Sequence, residues 1–294
     1  MTQTANLTVG ISTLERPGGV ARCLDAILAG TALPAEIIVV DQSSGEATQV
    51  AVEQRRSGLV PIVYHRQQRR GLSASRNAVL ARASCPVIAV TDDDCVPSRQ
   101  WITAIDRAFR SPAAPDVVTG RVLPLGPEVP GLYAVSSRTS AVPALFTGNV
   151  VPWVAGTGGN CAVKREWIER IGRYDERLGA GSPGGAGEDL DWLYRLLRAG
   201  ARIQYEPEVL IYHERQSKAR RIATRSSYGR GAGACCGVWL RRGDVHALGM
   251  LGYWMILRTR LMARAVRRRQ WSIVYEELLV QRGTVGGLLY GIRA

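Results

Sequence analysis

Short apolar runs alternate along the chain with longer stretches whose apolar residues recur every three or four positions. Residues 7–11 form the first run, and a turn over residues 12–19 follows. Pro17 suits the first turn of a helix, and Val20, Leu24, Ile27 and Leu28 then share one helical face up to Gly30. The pattern continues as a strand over 36–41, a helix near 47–56, a strand near 60–64 and a helix over 71–83. Residues 87–90 predict a buried strand, 98–109 a helix and 116–123 a strand. Residues 124–152, rich in Pro, Gly, Ser and Val, carry no readable period. A connection of that length is usually functional, for example a substrate-binding loop. Beyond it come a strand over 160–164, a helix near 165–171, a glycine-rich loop over 179–187 expected to be mobile, a helix over 188–200 and a strand over 203–213. Strands and helices alternating at this spacing predict an α/β fold with a doubly wound, mainly parallel sheet. Ligands in such sheets sit beyond the carboxyl ends of the strands, where Ser12, Asp41, Asp92, Asp93 and Asp94 stand.

Charge divides the chain in two. Residues 1–215 hold 23 Lys+Arg against 22 Asp+Glu, whereas residues 216–294 hold 15 against 3. Met250, Trp254, Leu257, Leu261 and Ala265 share one helical stripe, crowded by Arg258, Arg260, Arg264, Arg267, Arg268 and Arg269. A catalytic domain over 1–215 and a basic, amphipathic helical extension over 216–294 are therefore expected. Trp271, Leu278, Leu279 and residues 285–290 continue the apolar supply, and the extension suits an anionic membrane surface, with tryptophans at the apolar margin. The alternative is a helical hairpin that only packs on the first domain. Nucleic acid is not expected, because no recognition element accompanies the charge. The first ten residues lack a basic region followed by an apolar core, and residues 245–257 are too few to span a bilayer, so neither a signal peptide nor a spanning helix is expected. The six cysteines have no metal-binding spacing and sit among apolar residues, as buried reduced thiols of a cytoplasmic protein would.

The chemistry centres on Asp92, Asp93 and Asp94, three carboxylates at the end of an apolar strand. At about 4 Å, each pair repels by roughly 4 kcal/mol at an effective dielectric near 20. A divalent cation with oxygen ligands offsets that repulsion. Strand alternation would point Asp92 and Asp94 one way and Asp93 the other. Glu188, Asp189 and Asp191 crowd the first turn of a helix behind the glycine-rich loop, where a helix dipole alone would favour one acid.

The segments EIIVVDQSS (36–44), GLSASRNAVL (71–80), TDDDCVP (91–97), GTGGNCAVKREW (156–167), GRYDERLG (172–179), GEDLDW (187–192) and YEPEVLIYHE (205–214) occur in register over roughly residues 5–215. Together they resemble the inverting nucleotide-sugar glycosyltransferases of family 2. The resemblance implies a GT-A fold with a Rossmann-like nucleotide-binding half and an acceptor half, and an Mg²⁺ or Mn²⁺ cofactor. It implies that Ser12, Thr13 and Asp41 hold base and ribose and that Arg76 lies near the nucleotide diphosphate or base. Asp92, Asp93 and Asp94 match the DxD element; Asp94 binds the metal, Asp92 joins the metal or donor, Asp93 meets the donor, and His213 completes the metal shell. Asp189 matches the catalytic base, with Glu188 beside it. Gly158, Gly159, Asn160, Glu188 and Asp191 fall on the acceptor side. Gln42 stands where many relatives carry a second acid.

These implications amount to an inverting transferase that moves a sugar from a nucleotide-diphospho-sugar to a hydroxyl acceptor by direct displacement, peripheral at the inner membrane face. A sugar-phosphate nucleotidyltransferase is one rival; it would want a basic, glycine-rich phosphate loop after the first strand, where residues 12–19 offer only Arg16. A catalytically silent sugar-binding membrane subunit is the other, and intact Asp94 and Asp189 argue against it.

Overall fold

A computed structural model describes residues 3–56, 58–112 and 114–294. The chain forms two compact units: residues up to 70 with 74–173 and 193–215, and residues 71–73 with 174–192 and 216–294. Segment 174–192 thus groups with the C-terminal helices, although the charge pattern alone places the division at residue 215.

The first unit is built on β1 (Gln3–Thr13), β2 (Ala32–Asp41), β3 (Ile62–Arg66), β4 (Val87–Asp92), β5 (Cys95–Pro97), β6 (Val117–Pro124), β7 (Leu132–Tyr133), β8 (Ala144–Phe146), β9 (Asn160–Lys164) and β10 (Ile203–His213). The main sheet runs β3-β2-β1-β4-β9-β6-β10-β5, with β8 beside β10. The β3, β2, β1 and β4 strands pair in parallel, as do β6 and β10; β9 inserts antiparallel between β4 and β6. Helices α1 (Pro17–Leu28), α2 (Ala47–Glu53), α3 (Leu72–Arg82), α4 (Trp101–Arg110), α5 (Pro152–Ala155), α6 (Arg165–Ile171) and α7 (Glu188–Arg198) connect the strands. Leu7, Val9 and Ile11 of β1 alternate onto one face and pack with Ile37 and Val39 of β2. Val20, Leu24 and Ile27 of α1 and Trp101, Ile102 and Ile105 of α4 cover them. The doubly wound, mainly parallel sheet that the alternating pattern predicts is present. The unread stretch 124–152 contains β7 and β8, strands of two and three residues, too short to show a period.

The second unit is dominated by α8 (Lys218–Arg241), α9 (His246–Arg267) and α10 (Trp271–Arg293). A Cβ added at Gly229 or Gly233 of α8 would stand 2.0 Å from the carbonyl oxygens of Val280 and Thr284. Reciprocally, one at Gly287 or Gly291 of α10 would stand 2.0 or 2.3 Å from those of Arg230 and Ala234. Both sets rise together in number, so α8 and α10 run parallel with their backbones in contact. Glycine every fourth residue on both helices permits that approach. Met250, Trp254 and Ala265 of α9 are buried in this unit. Trp254 Nε1 donates to Thr284 Oγ1 at 3.0 Å, and the Arg258 guanidinium lies 4.2 Å from the Trp254 ring centre. The stripe expected to meet a membrane at Trp254 is therefore interior packing.

Candidate active site

In the first unit, β1, β2 and β4 deliver polar residues to one end of the sheet because each apolar run stops there. Ser12 pairs in register with Asp92, and Thr13 with Asp41. Ser12 is 7% exposed, and its hydroxyl has no hydrogen-bond partner among the described residues. Asp41 is fully buried; its Oδ1 accepts from Ser43 N at 2.8 Å and its Oδ2 from Tyr64 Oη at 2.7 Å. Burial, with Asp41 beside it, pushes the Tyr64 hydroxyl well above its ordinary range. Asp41 thus fixes the turn after β2. That turn borders an open pocket of about 640 Å³ lined by Glu15, Gln42, Ser43, Ser44, Arg66 and Arg69 among others.

Strand β4 ends at Asp92, and the chain turns at Asp93 and Asp94. The expected alternation is broken there. Asp92 Oδ1 lies 3.0 Å from Nη2 of the buried Arg76 on α3. A Cβ on Gly159 would fall 2.4 Å from Asp92 Oδ2, so only glycine leaves this carboxylate in place. Asp93 accepts from Thr13 Oγ1 at 2.7 Å. Burial pushes Asp93 up to about 7, against the opposing pull of Arg16, with Asp94 adding to the rise. Asp94 Oδ2 lies 2.7 Å from Arg16 Nη1.

His213 reaches Asp94 because β5 pairs antiparallel with β10, setting Cys95 opposite His213. Its Nε2 lies 3.4 Å from Asp94 Oδ1, and its Nδ1 is 2.8 Å from the Glu214 carbonyl oxygen. A carbonyl can only accept, so Nδ1 carries a proton and Nε2 is the ring nitrogen turned toward Asp94. Among the described residues, Asp94, Cys95 and His213 bring one ligand atom each within 4.8 Å of the others. Burial first, then the neighbouring carboxylates, push the Cys95 thiol far up, so it stays protonated. The Asp94 carboxylate suits Mn²⁺ or Mg²⁺, and the imidazole nitrogen beside it favours a transition-metal ion such as Mn²⁺ over Mg²⁺. Asp92, expected in the metal shell, is not part of this cluster.

Arg16, noted in the sequence only as the lone basic residue of the turn over 12–19, and Glu214 were not expected as site residues. Arg16 Nη2 lies 2.5 Å from Glu214 Oε2, and Arg22 joins the same carboxylate. Arg16 opens α1 outside any apolar period; the acidic triplet's need for a cation was the signal available. Asn160, expected on the acceptor side, is instead fully buried. Its Oδ1 accepts from Trp101 Nε1 at 2.9 Å, and its Nδ2 donates to the carbonyls of Arg121 and Val209 at 3.0 and 2.8 Å. It ties α4, β6 and β10 together, next to Gly158 and Gly159.

In the second unit, the glycine-rich loop is cross-linked, not loose. Ser73 Oγ donates to Leu178 O at 2.5 Å, Leu72 N to Ala180 O at 2.9 Å, and Gly179 N to Gly185 O at 2.7 Å. Arg230 Nε on α8 donates to Pro183 O at 2.6 Å, and a Cβ on Gly231 would stand 1.7 Å from Ala186 O. This anchoring holds the start of α7. Glu188 is buried, while Asp189 is half-buried with its Oδ1 accepting from Leu190 N at 2.8 Å. Asp191, expected to contact acceptor, is 2% exposed and accepts from Trp239 Nε1 at 2.9 Å. That bond gives it a structural task.

A sequence profile described as glycosyl transferase family 2 matches residues 8–172, more than half of the chain, and the chain belongs to that family. It is 27% identical over 250 residues to the pre-mycofactocin glycosyltransferase of Mycobacterium tuberculosis, over 75% of this chain and 51% of that protein. The chain thus spans about half the length of that relative. It is also 25% identical over 213 residues to the succinoglycan biosynthesis protein ExoM of Rhizobium meliloti, over 71% of this chain and 67% of that protein. The solved mannosyltransferase PcManGT from Pyrobaculum calidifontis, in complex with GDP-Man and Mn²⁺, shares the fold at a TM-score of 0.62 and 19% identity, over 98% of this chain and 88% of that one. The GT-A fold expected from the seven segments is thereby borne out. No helix among the described residues is long and apolar enough to cross a membrane.

Proposed function

We propose that the protein is an inverting, metal-dependent glycosyltransferase that moves a sugar from a nucleotide-diphospho-sugar to a hydroxyl acceptor. The observation that carries this reading is the Asp94 and His213 pair at the carboxyl end of the sheet, with His213 Nδ1 fixed on a carbonyl. Asp94 and His213 would hold Mg²⁺ or Mn²⁺, and PcManGT was solved with Mn²⁺ and GDP-Man. Such a cation, when bound, neutralises charge on the leaving diphosphate.

The chain's own residues supply the rest. Ser12 has a buried hydroxyl to offer the donor, and the pocket beside Gln42, Glu15 and Arg66 has room for base and ribose. Asp41 keeps that pocket's wall in place, Arg76 positions Asp92, and Thr13 holds Asp93. Asp189 accepts the proton of the acceptor hydroxyl as its oxygen bonds to the anomeric carbon and the bond to the diphosphate oxygen breaks. A single displacement inverts that carbon. Glu188 stands next to Asp189 at the start of α7 and is its partner in this role. The name of ExoM, a succinoglycan biosynthesis protein, favours a glycan acceptor, and the charge of residues 216–294 favours work at the anionic inner face of a membrane.

Calorimetric titration with GDP and UDP, with Mn²⁺ and in chelator, tests the donor half. Binding should need metal in the native protein and lose that need, together with most affinity, in Asp94→Ala at an unchanged melting midpoint. Equal binding in chelator would reject the metal site.

A further inference from the structure

The C-terminal helices bury carboxylates and expose arginines. Glu276 lies 3.0 Å from Arg221 Nε and 2.9 Å from Arg225 Nε, and Glu277 lies 3.3 Å from Arg258 Nη1; both acids are buried. Asp244, the remaining acid of residues 216–294, accepts from His246 N at the start of α9. Arg267, Arg268 and Arg269, at the turn between α9 and α10, are all exposed.

Just past that turn begins a second feature. Trp271, Tyr275, Leu278, Val285, Leu289 and Ile292 of α10 are 45–64% exposed. With Arg282 they recur at alternating intervals of four and three residues, which is one helical face along the whole of α10. The opposite face, with Val280, Thr284 and Gly287, packs inward. Scattered apolar residues at a surface are ordinary; a continuous stripe over a full helix marks a contact.

The charge pattern selects the occupant. Two copies joined along this stripe would bring Arg282 against Arg282 near its centre, whether parallel or antiparallel. A lipid surface has no such conflict, because arginine stems lie along apolar surface while their heads reach phosphate. We propose that the outer face of α10 lies in the interface of an anionic bilayer, with Arg267, Arg268, Arg269 and Arg282 on lipid phosphates. This rests on the reading that the protein works at a membrane surface, and within residues 216–294 it assigns the contact to one face of α10.

Co-sedimentation of the full chain with phosphatidylserine-containing vesicles and with pure phosphatidylcholine vesicles tests it, beside the double variant Leu278→Gln/Leu289→Gln. Both residues are half exposed, and a thermal melt checks that the variant folds. The native chain should pellet with the anionic vesicles and be released by salt, and the double variant should bind at least about tenfold more weakly. Val50→Gln, an equally exposed position on α2, should bind like the native chain. Strong binding by the folded double variant would overturn the α10 face and leave the membrane reading standing. No binding by the native chain would overturn both. A native dimer that dissociates on the double substitution would assign the stripe to a second copy and reject the proposal.

Discussion

Arg16 Nη1 lies 2.7 Å from Asp94 Oδ2, while the other oxygen of Asp94 faces His213 Nε2 at 3.4 Å. One guanidinium therefore holds the carboxylate by one oxygen and leaves the other beside the imidazole. The same guanidinium is 3.5 Å from Asp93 Oδ1 and reaches Glu214. It offsets the mutual repulsion of Asp93, Asp94 and Glu214. Arg16→Gln should lower the metal-free stability by roughly 1–3 kcal/mol, less than for a fully buried pair because Arg16 keeps some exposure. Added Mn²⁺ should restore much of the loss, and a thermal melt with and without Mn²⁺ reads both. An unchanged midpoint would mean that Arg16 is not the counter-ion.

The two aspartates at the start of α7 should separate cleanly. Asp189→Asn should lower the chemical step by at least about 10²-fold with donor binding nearly unchanged. Asp191→Asn keeps an oxygen for Trp239 Nε1 and should stay active, whereas Asp191→Ala should lower the melting midpoint. An inactive, well-folded Asp191→Asn beside an active Asp189→Asn would move the base by two positions.

Adjacent glycines of α10 make an internal control for helix packing. Gly287→Ala must push its Cβ into the Arg230 carbonyl and should cost at least about 2 kcal/mol. At Gly286 a Cβ meets only the Arg230 guanidinium, at 3.5 Å. Gly286→Ala should be neutral or stabilising by up to about 1 kcal/mol. Equal effects in a denaturant titration would contradict the parallel α8–α10 contact.

Acid should loosen the helical unit through Glu276. Burial alone would raise this carboxyl, but hydrogen bonds from Arg221 and the charges of Arg225 and Arg221 hold it below its ordinary value near 4.5. Its contribution is then fully present above about pH 4.5 and is lost as pH falls through the lower, folded value. Melting midpoints followed by circular dichroism downward from pH 7 should fall less steeply below pH 4.5 in Glu276→Gln than in the native chain. Parallel curves would show that Glu276 does not carry the acid sensitivity.

The strand ends were legible because each apolar run of the sheet stops at a polar residue, as at Ser12, Asp41 and Asp92. Period two then failed at Asp93, because β4 had already ended and the chain was turning. Asp94 consequently meets Arg16, and Asp92 meets Arg76. The α8–α10 contact was illegible for another reason. It is built from glycine and main-chain oxygen, which a pattern of apolar side chains does not record. The stripe through Trp254 was read correctly as one face, but a single helix does not say what covers it.

The central claim is metal-dependent, inverting transfer. Nucleotide sugars of uridine, guanosine and thymidine should each be incubated with the full chain and Mn²⁺, and nucleoside diphosphate release followed alongside the anomeric signal of the product by NMR. One donor should release its diphosphate only with metal, give a product of opposite anomeric configuration, and do neither with Asp94→Ala. Retained configuration, or release undiminished in chelator, would contradict the account.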